Sequence, residues 1–353
     1  MTSRHLLMAW RILSPRERRL SLVLAVLAVM GAAAQVAMIG SVFPFLSVVA
    51  DPAAIHESGF LSTLHGLLGF ESDYRFLVML GTLSVVTIVL ANLVLFLRSY
   101  VTARFTLMRV HAIGVRLTKS YLSRDYEYFL RKNSADISKR ILTESGHIVR
   151  SFLQPMTEII ASGISAIAIL AFLFYMQPVV TAIGATIIGT AYLAIYLLYA
   201  RRLAHAGQRR VEANRERFVA VNELFSGVKD IKISRKETFF LNRFLGASEA
   251  AVRAEISSRI IGETPRYLMQ TLFFSGTILA SVFVLSPEYF DGGVESLSGL
   301  IPTLGLFAFA GQRLIPEAQK IFASASKISF GAAALQNVYE DMVSGSEGIA
   351  RAE

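Results

Sequence analysis

Apolar and polar positions divide this chain into long apolar blocks separated by charged stretches. Five blocks are plain: Leu20–Ala50, Phe76–Leu97, Ser151–Met176, Val179–Ala200 and Tyr267–Leu285. Each meets, or nearly meets, the ~20 residues a helix needs to cross a hydrocarbon layer. Strongly polar interruptions are few: Gln35, Asn92 and Glu158. A sixth block starts near Leu297, stays apolar to about Gly311 and continues helix-like through Arg313, Glu317 and Lys320. A water-soluble core cannot absorb so many runs of this length. The pattern predicts an all-α membrane protein with six transmembrane helices, near 20–50, 76–97, 151–176, 179–200, 267–285 and 297–318.

The first block carries a cleavable-leader pattern, with Arg16, Arg18 and Arg19 ahead of Leu20–Met30 and Gly31 to Ala34 behind. Its apolar run continues past Gln35 to Ala50, which favours an uncleaved first span. Upstream, Leu6, Trp10 and Leu13 recur at helical spacing among basic residues, as in an interfacial helix over residues 1–13. Ser14-Pro-Arg-Glu17 then reads as a helix start, with Pro15 at its first position.

Composition agrees with the pattern. Hydrophobic residues make up 54% and charged residues 17% of the 353 positions, against about 25% charged in soluble proteins. The net charge of +9 first suggests an anionic partner. Its distribution changes that reading. All but one of the 35 Lys and Arg residues fall on one side of the blocks or on that side's helical extensions, the exception being Arg75. The opposite side holds Asp51, Glu57, Glu71, Asp73, Glu288, Asp291 and Glu295. The positive-inside rule places both termini in the cytoplasm. Topology thus explains the charge, and no nucleic-acid partner is expected.

The two connections on the basic side are long and are not linkers. Leu97 to Ser123 lacks proline and holds one glycine, Gly114; Phe218, Val221, Phe225 and Val228 recur at helical spacing. Leu241 to Ile261 is equally compatible with a helix. The spans therefore continue far beyond the bilayer, ~30 Å for every 20 residues. Each connection contains a reversal, at Asp125–Ser134 and Ser226–Arg235. Tyr126, Tyr128, Phe129, Val228 and Lys229 at these tips are candidate docking residues for a partner domain, or they pack on their own bundle. On the acidic side, Phe60, Leu61, Leu64 and Leu68, with Leu67, form the apolar stripe of a short helix. That helix either contacts lipid tails or lids the bundle.

Chemistry within the chain is sparse. There is no cysteine, no P-loop and no nucleophile elbow. The six histidines show no ligand spacing. No catalytic residue, metal or cofactor is expected in this chain. Charges at membrane depth are the informative ones, because they are costly there and face a cavity or a partner. Arg313 and Glu317 fall ~24 and ~30 Å inward of Leu297 along a straight helix. Arg266 follows Pro265 at the start of the fifth block, and Arg98 ends the second. Inward-facing arginines suit an anionic head group. The alternatives are an Arg313–Glu317 pair, and Arg98 and Arg266 snorkelling to the interface. Glu158 and Asn92 are expected to make interhelical hydrogen bonds.

Taken together, the chain resembles the transmembrane domain of a type IV ABC exporter. More narrowly, it resembles the lipid-linked oligosaccharide flippases of the PglK type. The resemblance rests on Ser41-Val-Phe-Pro-Phe-Leu-Ser47, Ala103-Arg-Phe105 with His111-Ala-Ile113, Ala206-Gly-Gln-Arg-Arg-Val-Glu-Ala213, Thr264-Pro-Arg-Tyr267 and Gln312-Arg-Leu-Ile-Pro316. It implies the exporter fold over residues 1–343 and a homodimer in a bacterial cytoplasmic membrane. It also implies that a polyprenyl-pyrophosphate-linked glycan is flipped outward, with Arg266 and Arg313 meeting the pyrophosphate and the helix near Phe60–Leu68 meeting the lipid tail. A second-span arginine of that family falls near Ala91 and Asn92 here, a departure that Arg98 does not obviously repair. ATP with magnesium is expected at a nucleotide-binding domain outside these residues, either fused beyond a linker at 344–353 or supplied as a subunit. The competing functions are export of another lipid, drug or peptide, and a non-transporting scaffold or receptor.

Overall fold

A computed structural model describes residues 15–57, 59–68, 70, 72–131, 137–138, 140–284 and 300–349. All regular structure among them is helical. In chain order the helices are α1 (Pro15–Ala50), α2 (Ala54–Glu57), α3 (Gly59–Leu68), α4 (Asp73–Leu122), α5 (Tyr126–Arg131), α6 (Ser145–Ile148), α7 (Gln154–Met176), α8 (Pro178–Ser226), α9 (Val228–Ser234), α10 (Glu237–Val284) and α11 (Leu300–Ile349). The interfacial segment expected over residues 1–13 lies outside the described residues. α1 starts at Pro15, the position that the sequence marks as first. α11 runs unbroken through Ile349, across the linker boundary expected near 343.

The helices are long for the reason the sequence gives: their extensions lack breakers. α4 has 50 residues, or ~75 Å at 1.5 Å per residue, more than twice a hydrocarbon layer of about 30 Å. α8 and α10 have 49 and 48 residues. Four described helices are long and apolar enough to cross a membrane: Leu22–Ala50, Asp73–Leu122, Ile141–Met176 and Pro178–Ser226. The fifth and sixth apolar blocks fall on α10 and α11, but both run into residues 285–299, outside the described set.

Two wide π-turns, Arg140–Glu144 and Val149–Leu153, flank α6 and lead into α7. Pro155, in the first turn of α7, accounts for the second. It has no N–H to continue the regular ladder, and the Gln154 N–H reaches back to the Val149 carbonyl instead.

α1, α4, α7 and α11 pack into a bundle, while α8 and α10 pack along each other as an arm that rests mainly on α11. One bundle cluster joins Ile39 of α1, Ile169 and Leu173 of α7, and Leu306 and Ala310 of α11. Another joins Ile113, Leu117 and Tyr121 of α4 to Phe152 and to Ile328 of α11. In the arm, alanines are buried at helical spacing, Ala213 and Ala220 on α8 and Ala247, Ala251 and Ala254 on α10, alongside the larger Leu203 on α8 and Met269 on α10. Close approach also ties the arm to α11. A Cβ at Gly207 would lie 2.2 Å from the Phe330 carbonyl oxygen. Ahead of Pro265, the Gly262 carbonyl accepts a bond from Gln319 Nε2 at 2.7 Å.

Candidate functional site

The four bundle helices converge on a cavity of about 290 Å³. Gln35 of α1, Arg98 of α4, Glu158 of α7, and Arg313, Glu317 and Lys320 of α11 line it. The α11 residues follow i, i+4, i+7 spacing, so one face of that helix delivers all three.

Arg98 is only 8% exposed and donates from Nη1 to Ser165 Oγ at 3.1 Å. Gly31 of α1 makes room for it. A Cβ there would lie 2.9 Å from Arg98 Cδ and 3.0 Å from Nη1. Arg98 therefore turns into the bundle rather than snorkelling outward. Gln35 Nε2 donates to Ser165 Oγ at 3.4 Å and to Glu317 Oε1 at 3.3 Å. Lys320 Nζ donates to that same carboxylate oxygen at 3.0 Å. Glu317 Oε2 and Gln35 Oε1 are sealed from solvent without a partner.

Arg313 is half-buried and has a different environment. Its Nη2 reaches only the Met38 sulfur at 3.4 Å, and its Nε is sealed without a partner. The Arg313–Glu317 pair weighed from sequence does not form; Gln35 and Lys320 share Glu317 Oε1 instead. A guanidinium with idle donors and no carboxylate partner among the described residues is suited to an incoming anion.

The other sequence candidates are distributed differently. Arg266 is exposed on α10 and does not line this cavity. Asn92 makes no interhelical bond; its Nδ2 donates to the Ile88 carbonyl of its own helix at 2.8 Å. Glu158 lines the cavity without a hydrogen-bond partner among the described residues, so its expected interhelical bond is also missing. Ala91 is buried. Gln35 was visible in the sequence as the first block's polar exception, but Ser165 and Gly31 carried no signal of their roles.

At the acidic end, α3 closes over the bundle. Leu61 is 4% exposed and sits in a cluster with Val48, Ile55, Phe76 and Leu80, with Leu64 packed against it. Leu61 is thus turned into protein rather than toward a lipid tail, while Leu67 faces outward at 79% exposure. The side chains of Phe60 and Leu68 lie outside the described residues.

At the basic end, both reversals form short helices. On α5, Tyr126 and Phe129 are exposed, whereas Tyr128 stacks on Tyr121 at 6.2 Å and lies beneath the Arg124 guanidinium. On α9, Val228 and Lys229 are exposed and Ile231 is the buried anchor. Arg235 ends α9 with φ 53°, a left-handed stop. The aromatic and apolar tips are thus split between anchors and free faces.

Over residues 19–289 the sequence matches the family described as ABC transporter transmembrane region. The chain belongs to that family. It is accordingly part of a multi-pass membrane transporter. ABC transmembrane domains generally work as dimers and pair with nucleotide-binding domains.

Proposed function

We propose that this ABC transmembrane region forms a six-span homodimer that moves an anionic amphipathic lipid, a polyprenyl-pyrophosphate-linked oligosaccharide, from the inner to the outer leaflet. The observation that carries this reading is Arg313, half-buried in the cavity that Arg98 also lines, with no carboxylate partner among the described residues. A diphosphate offers oxygens to both guanidiniums at once. The charge distribution supports a basic end in the cytoplasm of a bacterial inner membrane, with both termini there. In this reading α5 and α9 dock on nucleotide-binding domains, which bind ATP with magnesium. Their closure is transmitted through the long helices to the cavity.

The test uses the complete transporter with its ATPase, in vesicles, and measures lipid flipping. Arg313→Ala is expected to lower the rate at least tenfold, and Arg98→Ala to act in the same direction. Unchanged flipping in the double variant overturns the pyrophosphate role. A second reading, export of another amphipath, gains from the position of Arg266, which leaves one arginine fewer at the cavity than the flippase resemblance implies. The substrate that stimulates the ATPase separates the two.

A further inference from the structure

A second, larger cavity of about 890 Å³ lies toward the basic end, between the π-turned entrance to α7, the arm and α11. Its charge is unbalanced. Arg210 is paired with Glu255 at 3.0 Å and Arg259 with Glu263 at 3.1 Å. Arg150 and Lys327 line the same space and have no carboxylate or hydrogen-bond partner among the described residues. Two further polar atoms are idle there. Ser326 is 1% exposed, and its Oγ is sealed without a partner, as is His147 Nδ1. Two exposed cations on this lining, unpaired among the described residues, suit an anion with several acceptor oxygens.

This cavity adjoins the one between the bundle helices. Gln154 lines both. On α11, Arg313, Lys320 and Lys327 are spaced seven residues apart. Each step advances ~10.5 Å and returns within about 20° of the same face. A stripe of three basic residues therefore runs along α11 from the basic-end cavity to Arg313, its middle member Lys320 held by Glu317.

We propose that the basic-end cavity is a second binding station, specific for phosphate-bearing anions, and that the α11 stripe joins it to the Arg313 cavity. Occupation by a lipid head group rests on the function proposed above, whereas the anion site itself does not.

The chain contains no cysteine, so one introduced thiol can report on one place. Thr143 is exposed and lines the cavity. Thr143→Cys in the full chain, held in nanodiscs, is labelled with a thiol reagent. The labelling rate is measured with and without inorganic pyrophosphate. Ala53→Cys at the acidic end serves as the control. Pyrophosphate is expected to slow labelling at Thr143→Cys at least fivefold and to leave Ala53→Cys unchanged. Adding Arg150→Gln with Lys327→Gln should raise the half-protecting concentration at least tenfold, while Arg313→Gln should leave it where it was. Absence of protection, or protection that survives the double charge change in a variant with unaltered melting, overturns the site. Vesicles containing a polyprenyl pyrophosphate then distinguish the sources. Protection by that lipid supports the head group as occupant. Protection by inorganic pyrophosphate alone keeps the site and removes the lipid from it.

Discussion

The bundle and the arm both carry long apolar stretches but bury them to different extents. Of the most apolar stretch, 33% is buried in α1 and 17% in α4, against 6% in α8. The described apolar clusters draw on the bundle helices, their connections and α3; none draws on α8 or α10. Charges follow the same division. In the bundle, Arg98 and Arg313 are withdrawn from solvent and lack carboxylates. In the arm, Arg243–Glu223, Arg253–Glu249 and Arg259–Glu263 pair at the surface. Composition alone therefore does not reveal which apolar helix completes its packing within the chain. The bundle builds apolar cores of its own but still exposes residues such as Val89, Leu93 and Phe96 on α4, while the arm leaves nearly all of its apolar surface to be covered by lipid or by a second copy.

If α11 is what holds the two regions together, the largest effect should come from their closest contact. Gly207→Ala places a methyl group against the Phe330 backbone, which cannot rotate aside as a side chain would. Overpacking of this kind costs about 1–3 kcal/mol, and a rigid backbone neighbour points to the upper part of that range. Melting in detergent should fall clearly for Gly207→Ala. Gly184→Ala, with open space around it, should melt at or slightly above wild type, as a helical glycine replaced by alanine gains about 0.5–1 kcal/mol. Equal melting of both variants would dissolve the idea that this contact seats the arm.

A smaller effect is expected from within the bundle. Gln35→Leu strips the amide from Glu317 Oε1 and Ser165 Oγ, and loss of a buried partner costs about 1–3 kcal/mol. Lys320 and Arg98 still reach those two oxygens, so the lower half of that range is expected. Asn92→Leu removes a similar amide that bonds only its own helix at an exposed position. It should stay within about 0.5 kcal/mol of wild type. Comparable losses would mean that the cavity network contributes no more than a surface amide.

Much of this division was legible in the sequence, and the missing parts share one cause. Long helices followed from apolar blocks continued by breaker-free charged stretches, and the tips followed from the reversals. Pairing across the chain did not. Gln35 and Glu317 are 282 positions apart, and no local pattern joins them. Arg98 sits at the end of an apolar block, where snorkelling is the natural expectation; Gly31, on a different helix, opens the groove that turns it inward. Arg266 and Arg313 look alike in sequence, each on a proline-bearing segment, yet only Arg313 is presented to the cavity. Helix phase relative to neighbouring helices decides that difference, and one-dimensional spacing does not contain it.

The tip of α5 allows the same distinction at smaller scale. Tyr128 stacks on the bundle, whereas Tyr126 and Phe129 face outward. Tyr128→Ala should lower stability by about 1 kcal/mol, in line with loss of an aromatic pair and some buried area. Tyr126→Ala with Phe129→Ala should leave melting within about 0.5 kcal/mol of wild type. In the complete transporter, the double variant should lower substrate moved per ATP hydrolysed. Unchanged coupling would remove these two rings from the docking face.

The smallest effect belongs to the arm's own tip, where burial contributes almost nothing. Glu237 opens α10, and its carboxylate titrates below the ordinary 4.5, chiefly through a bond from its own backbone N–H and next through Lys232. The Lys232 ammonium lies 3.2 Å away, and a helix N-terminus also favours the anion. A depressed folded value fixes the sign of the pH dependence. The contribution is fully present above 4.5 and is lost as pH falls through the folded value, so no change is expected between pH 7 and 5. Carboxyl carbon NMR should place the Glu237 midpoint below 4.5. Lys232→Met should raise that midpoint only part of the way, because the backbone bond remains. A complete return to 4.5 would make Lys232 the whole cause. No movement at all would make the α9–α10 corner a backbone device, held without the surface charges that distinguish the arm from the bundle.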